Sequence, residues 1–169
     1  PMHGSPERHT IAVLVDNEPG VLARVIGLFS GRGYNIDSLT VTEVSQEANE
    51  SRITIVTHGS PSIIEQIKNQ LGRLVPVHGV TDLTLKGDPI ERELALVKVA
   101  GKGEKRVESL RLAEAFRAQV VDATTEHFVF EITGRISKIE NFINLMKPLG
   151  LVEVARTGAA AIARGAEPM

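Results

Sequence analysis

One order of elements occurs twice along this chain of 169 residues, and few folds can accommodate that. Residues 9–15, HTIAVLV, form a β-rich run closed by the turn Asp16-Asn17-Glu18-Pro19-Gly20. A helical pattern follows, with Val21, Val25 and Phe29 on one stripe, Leu22 and Ile26 beside it, and Gly31 and Gly33 ending it. Residues 34–45 read as a strand marked by Ile36, Leu39 and Val41, and a polar hairpin over 46–50 leads to a β run at 52–57. Ser60 and Pro61 supply an N-cap and a first-turn proline for a second helix, whose stripe is Ile63, Ile67, Leu71 and Leu74. Residues 77–85 close the unit as a strand. After Lys86-Gly87-Asp88-Pro89 the same βαββαβ order returns. It comprises a strand over 93–100, a helix over 105–117, strands over 119–125 and 127–133, a helix carrying Ile139, Phe142, Ile143 and Met146, and a strand over 151–155. Ser137 and Glu140 have the spacing of a capping box for that last helix.

The copies correspond residue by residue. Ile36-Asp37 matches Val121-Asp122 at an offset of 85, while Ser62-Ile63-Ile64-Glu65 matches Ser137-Lys138-Ile139-Glu140, and Leu71 matches Met146, at an offset of 75. The second copy is thus about ten residues shorter at its central hairpin, where length changes are most easily tolerated. The repeat predicts an α+β fold of two tandem ferredoxin-like βαββαβ sandwiches. The expected division is an irregular segment over 1–8, a first domain over 9–86, a linker over 87–92 and a second domain over 93–169.

Composition removes several classes of function. Lys and Arg number 19 against 21 Asp and Glu, a net charge of −2, which gives no basic excess for nonspecific nucleic-acid binding. Cysteine is absent, so disulfides and thiolate chemistry are excluded. No apolar run approaches the ~20 residues of a membrane helix and none reads as a signal peptide, so a cytoplasmic location is the expectation.

Searches for catalytic chemistry find nothing. His3, His9, His58, His78 and His127 lack zinc-site spacing and read as solvated or strand-end residues. Gly31-Arg32-Gly33 and Gly101-Lys102-Gly103 lack the third glycine and the strand-to-helix placement of a dinucleotide fingerprint, and read as loops. Lys102, Lys105 and Arg106 make a small basic patch that reads as a solvated helix end, with an anion or partner contact as the alternative. Because βαββαβ is also the order of RNA-recognition modules, the aromatics matter. Phe128 and Phe130 share one strand face, but Ile132 continues their stripe, which favours core packing over base stacking.

The turn Asp16-Asn17-Glu18-Pro19-Gly20 before the first helix is the best candidate site. A helix start presents unpaired N–H groups and the positive end of the peptide dipoles, both attractive to a carboxylate. Gly20 lets a ligand approach the backbone, Asn17 offers an amide donor and acceptor, and Asn35 stands at the head of the next strand to close the far side. The alternative is that Asn17 merely caps the helix and Gly20 merely permits the turn.

The run Asp16-Asn17-Glu18-Pro19-Gly20-Val21-Leu22 resembles the ligand loop of ACT domains, which bind amino acids. The string RVIGLFSGRGYNIDSLTVT over 24–42 is similar to the small subunit of acetolactate synthase (acetohydroxyacid synthase) in particular. So are Glu91-Arg92-Glu93-Leu94, Val152-Glu153-Val154-Ala155-Arg156-Thr157-Gly158 and Ala163-Arg164-Gly165. Pro19 departs from the small polar residue common in relatives. The resemblance implies an ACT domain followed by an ACT-like domain, in a non-catalytic regulatory subunit of branched-chain amino acid biosynthesis. That subunit activates a separate large catalytic subunit and makes it sensitive to feedback, with valine the expected effector and leucine or isoleucine left open. It forms a homodimer whose first modules pair side by side around the effector sites. No cofactor is expected in this chain, whereas thiamine diphosphate, Mg²⁺ and FAD are expected in the large subunit. The same resemblance implies effector contacts from N–H groups around Gly20 and Val21, from Asn17 and Asn35, and from an apolar wall of Leu22 and Ile36. The alternative is an amino-acid-binding ACT switch acting on another target.

Overall fold

The computed structural model describes residues 6–169. It divides into two compact units, one built from the chain up to Ile90 together with Ala160–Met169, the other from Glu91–Ala159.

In the first unit the elements are β1 (Glu7–Asp16), α1 (Val21–Arg32), β2 (Ser38–Ser45), β3 (Glu50–Gly59), α2 (Pro61–Arg73) and β4 (Val77–Asp82). The strands form an antiparallel sheet of order β2-β3-β1-β4. Strand alternation places Ile11, Val13 and Val15 of β1 beside Ile55, Ile53 and Ser51 of β3 on one face. On that face Val21, Val25 and Phe29 of α1 and Ile64, Ile67 and Leu71 of α2 complete the core. The α1 stripe is the expected one. On α2 the expected stripe holds at Ile67 and Leu71, with Ile64 buried beside them and Ile63 and Leu74 half-buried against the core.

Helix ends follow local chemistry. Ser60 accepts a hydrogen bond from the Ile63 N–H and Pro61 opens α2, as expected. Gly33 ends α1 in the left-handed conformation and returns its N–H to Phe29 and Ser30, so the Gly31-Arg32-Gly33 string belongs to a helix terminus. Ser60→Ala should cost about 1 kcal/mol of stability in urea unfolding of the whole chain.

The second unit contains β5 (Ile90–Val99), α3 (Glu104–Ala115), β6 (Gln119–Ala123), β7 (Phe128–Gly134), α4 (Ile136–Met146), a 3-10 turn (Lys147–Leu149) and β8 (Leu151–Arg156). Its sheet order, β6-β7-β5-β8, repeats that of the first unit. Ala95, Val97, Val99, Phe130 and Ile132 meet Ala113 of α3 and Ile139, Phe142 and Met146 of α4 in its core. Phe130 is fully buried, and Arg106 lies over the Phe128 ring at 3.9 Å, so these aromatics form no open stacking platform. Lys102 pairs instead with Glu126 at 3.5 Å, which splits the basic patch.

Several boundaries differ from expectation. The chain enters β1 at Glu7, where strand pairing with Gly59 extends the run beyond its apolar part, and β5 at Ile90, ahead of the pairing with β7 that starts at Glu93. The irregular segment and the linker are correspondingly shorter among the described residues. The capping box at Ser137 and Glu140 is not formed. The α4 N-cap is Arg135, which leaves Ser137 inside the first turn. Ser137→Ala should therefore leave stability unchanged in the unfolding assay that detects Ser60→Ala.

The largest revision concerns the C-terminus, expected in the second domain. Ala161 instead packs with Ala12 and Leu83 of the first unit, joined by Ala163 and Met169. Arg52 donates to the Ala161 carbonyl at 2.7 Å, and Arg164 to the Asp88 carbonyl at 2.7 Å. Ala12 lies on the helix-free face of the first sheet, and this small-residue segment covers it. Among the described residues no helix is long and apolar enough to cross a membrane.

Candidate functional site

The turn after β1 is pinned from below and open above. The Asp16 N–H donates to the Pro76 carbonyl at 2.9 Å, the Asn17 N–H to the Asn49 carbonyl at 2.8 Å and the Glu18 N–H to the Asp16 carbonyl at 2.9 Å. Two neighbouring connections thus hold the turn from β4 and from the β2–β3 hairpin. Gly20 is the α1 N-cap, at φ 85°, in the left-handed region that favours glycine. A Cβ added there would meet nothing within 4 Å, so the space beside it is free.

No side chain caps α1, and its first turn carries no acidic residue. The first regular helical bond runs from the Arg24 N–H to the Gly20 carbonyl at 3.0 Å. The N–H groups of Val21, Leu22 and Ala23 therefore have no helical carbonyl to reach. That of Val21 turns back to the Glu18 carbonyl at a long 3.4 Å, so the better-placed donors are those one and two residues further on. The alternative in which Asn17 caps the helix does not hold, since the cap position is Gly20. The turn is left as a cluster of oriented donors at the positive end of a helix of 12 residues.

The remaining expected residues divide. Val21 is buried in the core, leaving only its backbone for a ligand, whereas Leu22 is 38% exposed. Ile36 is half-buried and packs against the core. Asn35 is not at the head of β2, which starts at Ser38. Its amide nitrogen lies 3.0 Å from His58 Nε2, and His58 Nδ1 meets the Asp37 carboxylate at 2.8 Å. His58 pairs with Arg8, at the end of the sheet opposite Asp16. From Arg8 to Asp16 along β1 the chain rises roughly 26 Å at about 3.3 Å per residue. Within one chain, Asn35 therefore does not face Gly20.

Among the histidines, His9 departs from expectation. His9 is buried, held between Asp82 at 2.7 Å and Glu7 at 2.8 Å. Lys68 reaches the same Asp82 at 3.2 Å and Glu65 at 2.6 Å. Desolvation lowers the Lys68 pKa, but its bonds to Glu65 and Asp82 outweigh that and leave it raised. A residue missed at the turn itself is His78, which donates from Nε2 to the Asp16 carboxylate. Among the described residues no group of three or more His, Cys, Asp or Glu side chains could hold a metal ion.

Two βαββαβ sandwiches in tandem, the first opening its α1 on a bare glycine turn, define a two-module ACT-type protein. Family comparison agrees unit by unit. Residues 11–79 match the model of the AHAS small subunit-like ACT domain, and residues 92–165 that of the small subunit of acetolactate synthase. The chain is 43% identical over 161 residues to the acetolactate synthase small subunit of Bacillus subtilis, covering 95% of this chain and 92% of that one. Against the small subunit of acetolactate synthase isozyme 3 from Escherichia coli it is 42% identical over 159 residues, covering 94% and 96%. The crystal structure of the acetolactate synthase small subunit from Thermotoga maritima superposes with a TM-score of 0.82 at 41% identity, covering 95% of this chain and 99% of that one. The chain belongs to the acetolactate synthase small-subunit family.

Proposed function

We propose that this chain is the regulatory subunit of an acetolactate synthase, activating a large catalytic subunit and conferring feedback inhibition by valine. The observation that carries the effector role is the uncapped start of α1 at Gly20, with free space beside it and first-turn N–H groups that have no helical carbonyl to reach. A carboxylate suits that end of a helix, where backbone donors and the peptide dipoles act together. Asn17 flanks the turn with an amide donor and acceptor for the polar end of an amino acid. Leu22 supplies apolar surface for a branched side chain.

Asn35 and Ile36 enter the site from a second copy. A twofold axis that sets two first units side by side brings the Asn35 end of one sheet to the Gly20 end of the other, forming two equivalent sites. The exposed apolar residues support that pairing: Leu22 and Ile26 on α1, and Val41 and Val44 on the edge strand β2, are each between 38% and 47% exposed. An unpaired edge strand is itself a template for pairing. Because effector and interface coincide, effector binding alters how the copies meet, and it inhibits by favouring one arrangement over the other.

Reconstitution tests the reading. The chain alone, given pyruvate, thiamine diphosphate, Mg²⁺ and FAD, should form no acetolactate. Mixed with the large subunit from the same genome it should raise acetolactate formation, and valine should reverse the increase. Turnover by a preparation free of large subunit, or a mixture indifferent to valine, leucine and isoleucine, contradicts it. Asn17→Ala and Asn35→Ala should each weaken valine inhibition, by about two- to tenfold for a lost polar contact. Sedimentation should give a dimer or larger at micromolar concentration.

A further inference from the structure

The β1–β4 ladder carries an irregularity with a consequence for the effector turn. Leu14 pairs with Gly79 and Val15 with Val77, so one step on β1 faces two on β4, and His78 is the extra residue. Bulges re-aim side chains, and this one turns His78 onto Asp16, the last residue of β1 and the first to anchor the turn. The second unit has the same bulge. There Lys98 pairs with Glu153 and Val99 with Leu151, leaving Val152 extra. Val152 is 59% exposed, and the residue matching Asp16 is Ala100. The bulge thus belongs to the fold, while the His–Asp pair on it occurs only in the first unit. The second unit's first helix also starts on a glycine without a side-chain cap, Gly103, but carries Glu104 in its first turn.

We infer that His78 is a positioning residue of the effector site, clamping the Asp16 end of the turn and making effector affinity fall as pH rises. The inference rests on the effector role proposed above. Three carboxylates act on His78: Asp16 from β1, Glu50 from β3 and Glu18 from the turn. These three carboxylates oppose the approach of an effector carboxylate, and a protonated His78 offsets them. Its hydrogen bond and attraction to Asp16, with further attraction from Glu50 and Glu18, raise its pKa from the ordinary 6.5 and extend the protonated form upward in pH. An effector carboxylate arriving at α1 stabilises the imidazolium further, so binding takes up protons and is tighter at lower pH.

Valine titration calorimetry on the full chain at pH 6 and pH 8, beside imidazole NMR titrations with and without valine, tests this. Wild type should bind about two- to fivefold more tightly at pH 6, as for a charge acting near a helix end. His78→Gln should flatten that dependence, and valine should move the His78 titration upward. His78 is about half exposed, so the substitution leaves the core untouched. Equal pH profiles in wild type and His78→Gln, with valine binding still lost in Gly20→Asp, overturn the His78 role alone. Valine binding unchanged by Gly20→Asp removes the turn as the effector site, and the His78 role with it.

Discussion

Gly20→Asp is expected to weaken valine inhibition of the reconstituted enzyme at least tenfold while leaving activation of the large subunit in place. The new carboxylate would stand where the effector carboxylate is proposed to meet the α1 donors, so like charges meet. Loss of one charged hydrogen bond costs about 1.5–3 kcal/mol, and even the lower figure is roughly tenfold in affinity. The added Cβ finds nothing within 4 Å, so packing does not suffer. The backbone does, since φ at this position is 85°. For a side chain in the left-handed region the cost is about 1–2 kcal/mol, less for Asp than for most residues. An acid at a helix start also gains about 0.3–1 kcal/mol from the dipole. Gly20→Ala separates the two effects, because it imposes the strain without the charge and should lose less sensitivity. A valine titration of reconstituted activity reads all three proteins. Equal sensitivity in all of them would falsify the turn as the effector site.

Arg156→Met is expected to destabilise the second unit strongly. Arg156 grips the Glu93 carboxylate in a fork, Nε to Oε1 at 2.6 Å and Nη2 to Oε2 at 3.0 Å. The Glu93 side chain is only 2% exposed, so removing Arg156 strands a buried negative charge. Breaking such a pair from one side costs about 3–5 kcal/mol. Glu93→Gln should cost less, because the Arg156 side chain is 34% exposed and water can take over its charge. Replacing both residues with apolar ones should recover much of the loss, since a buried ion pair contributes little net stability. Urea unfolding of the four proteins measures the series. Full stability in Arg156→Met alone would sink the argument.

That ion pair also explains why two distant strings both carried the family resemblance. Glu93 lies in the first and Arg156 in the second, and the β5–β8 pairing brings them together. Thr157 of the second string likewise exchanges hydrogen bonds with Leu94 of the first. Joined, they are the lock on one edge of the second sheet.

Much of the fold was legible because its signals are local. The α1 stripe of Val21, Val25 and Phe29, the Ser60-Pro61 helix start and the Gly33 stop depend on spacings of a few residues. The repeated element order, read twice, implied two sandwiches. The glycine turn was legible too, since a helix start after a glycine exposes donors wherever it occurs. Strand register and bulges were not legible, for they are set by pairing between segments far apart in sequence. His78 reaches Asp16, 62 positions away, only because the β1–β4 ladder slips by one residue. His9 looked like a strand-end histidine until the ladder set Asp82 beside it. Asn35 looked like the far wall of the Gly20 turn, yet antiparallel pairing carries it to the other end of the sheet. The last ten residues followed the second repeat in sequence but cover Ala12 of the first, because a helix-free sheet face buries its apolar residues against whatever segment can return to it. The sequence by itself thus determined the elements, their order and the donor-rich turn. Tertiary structure alone decided which side chains share that turn, since those contacts depend on register and not on local pattern.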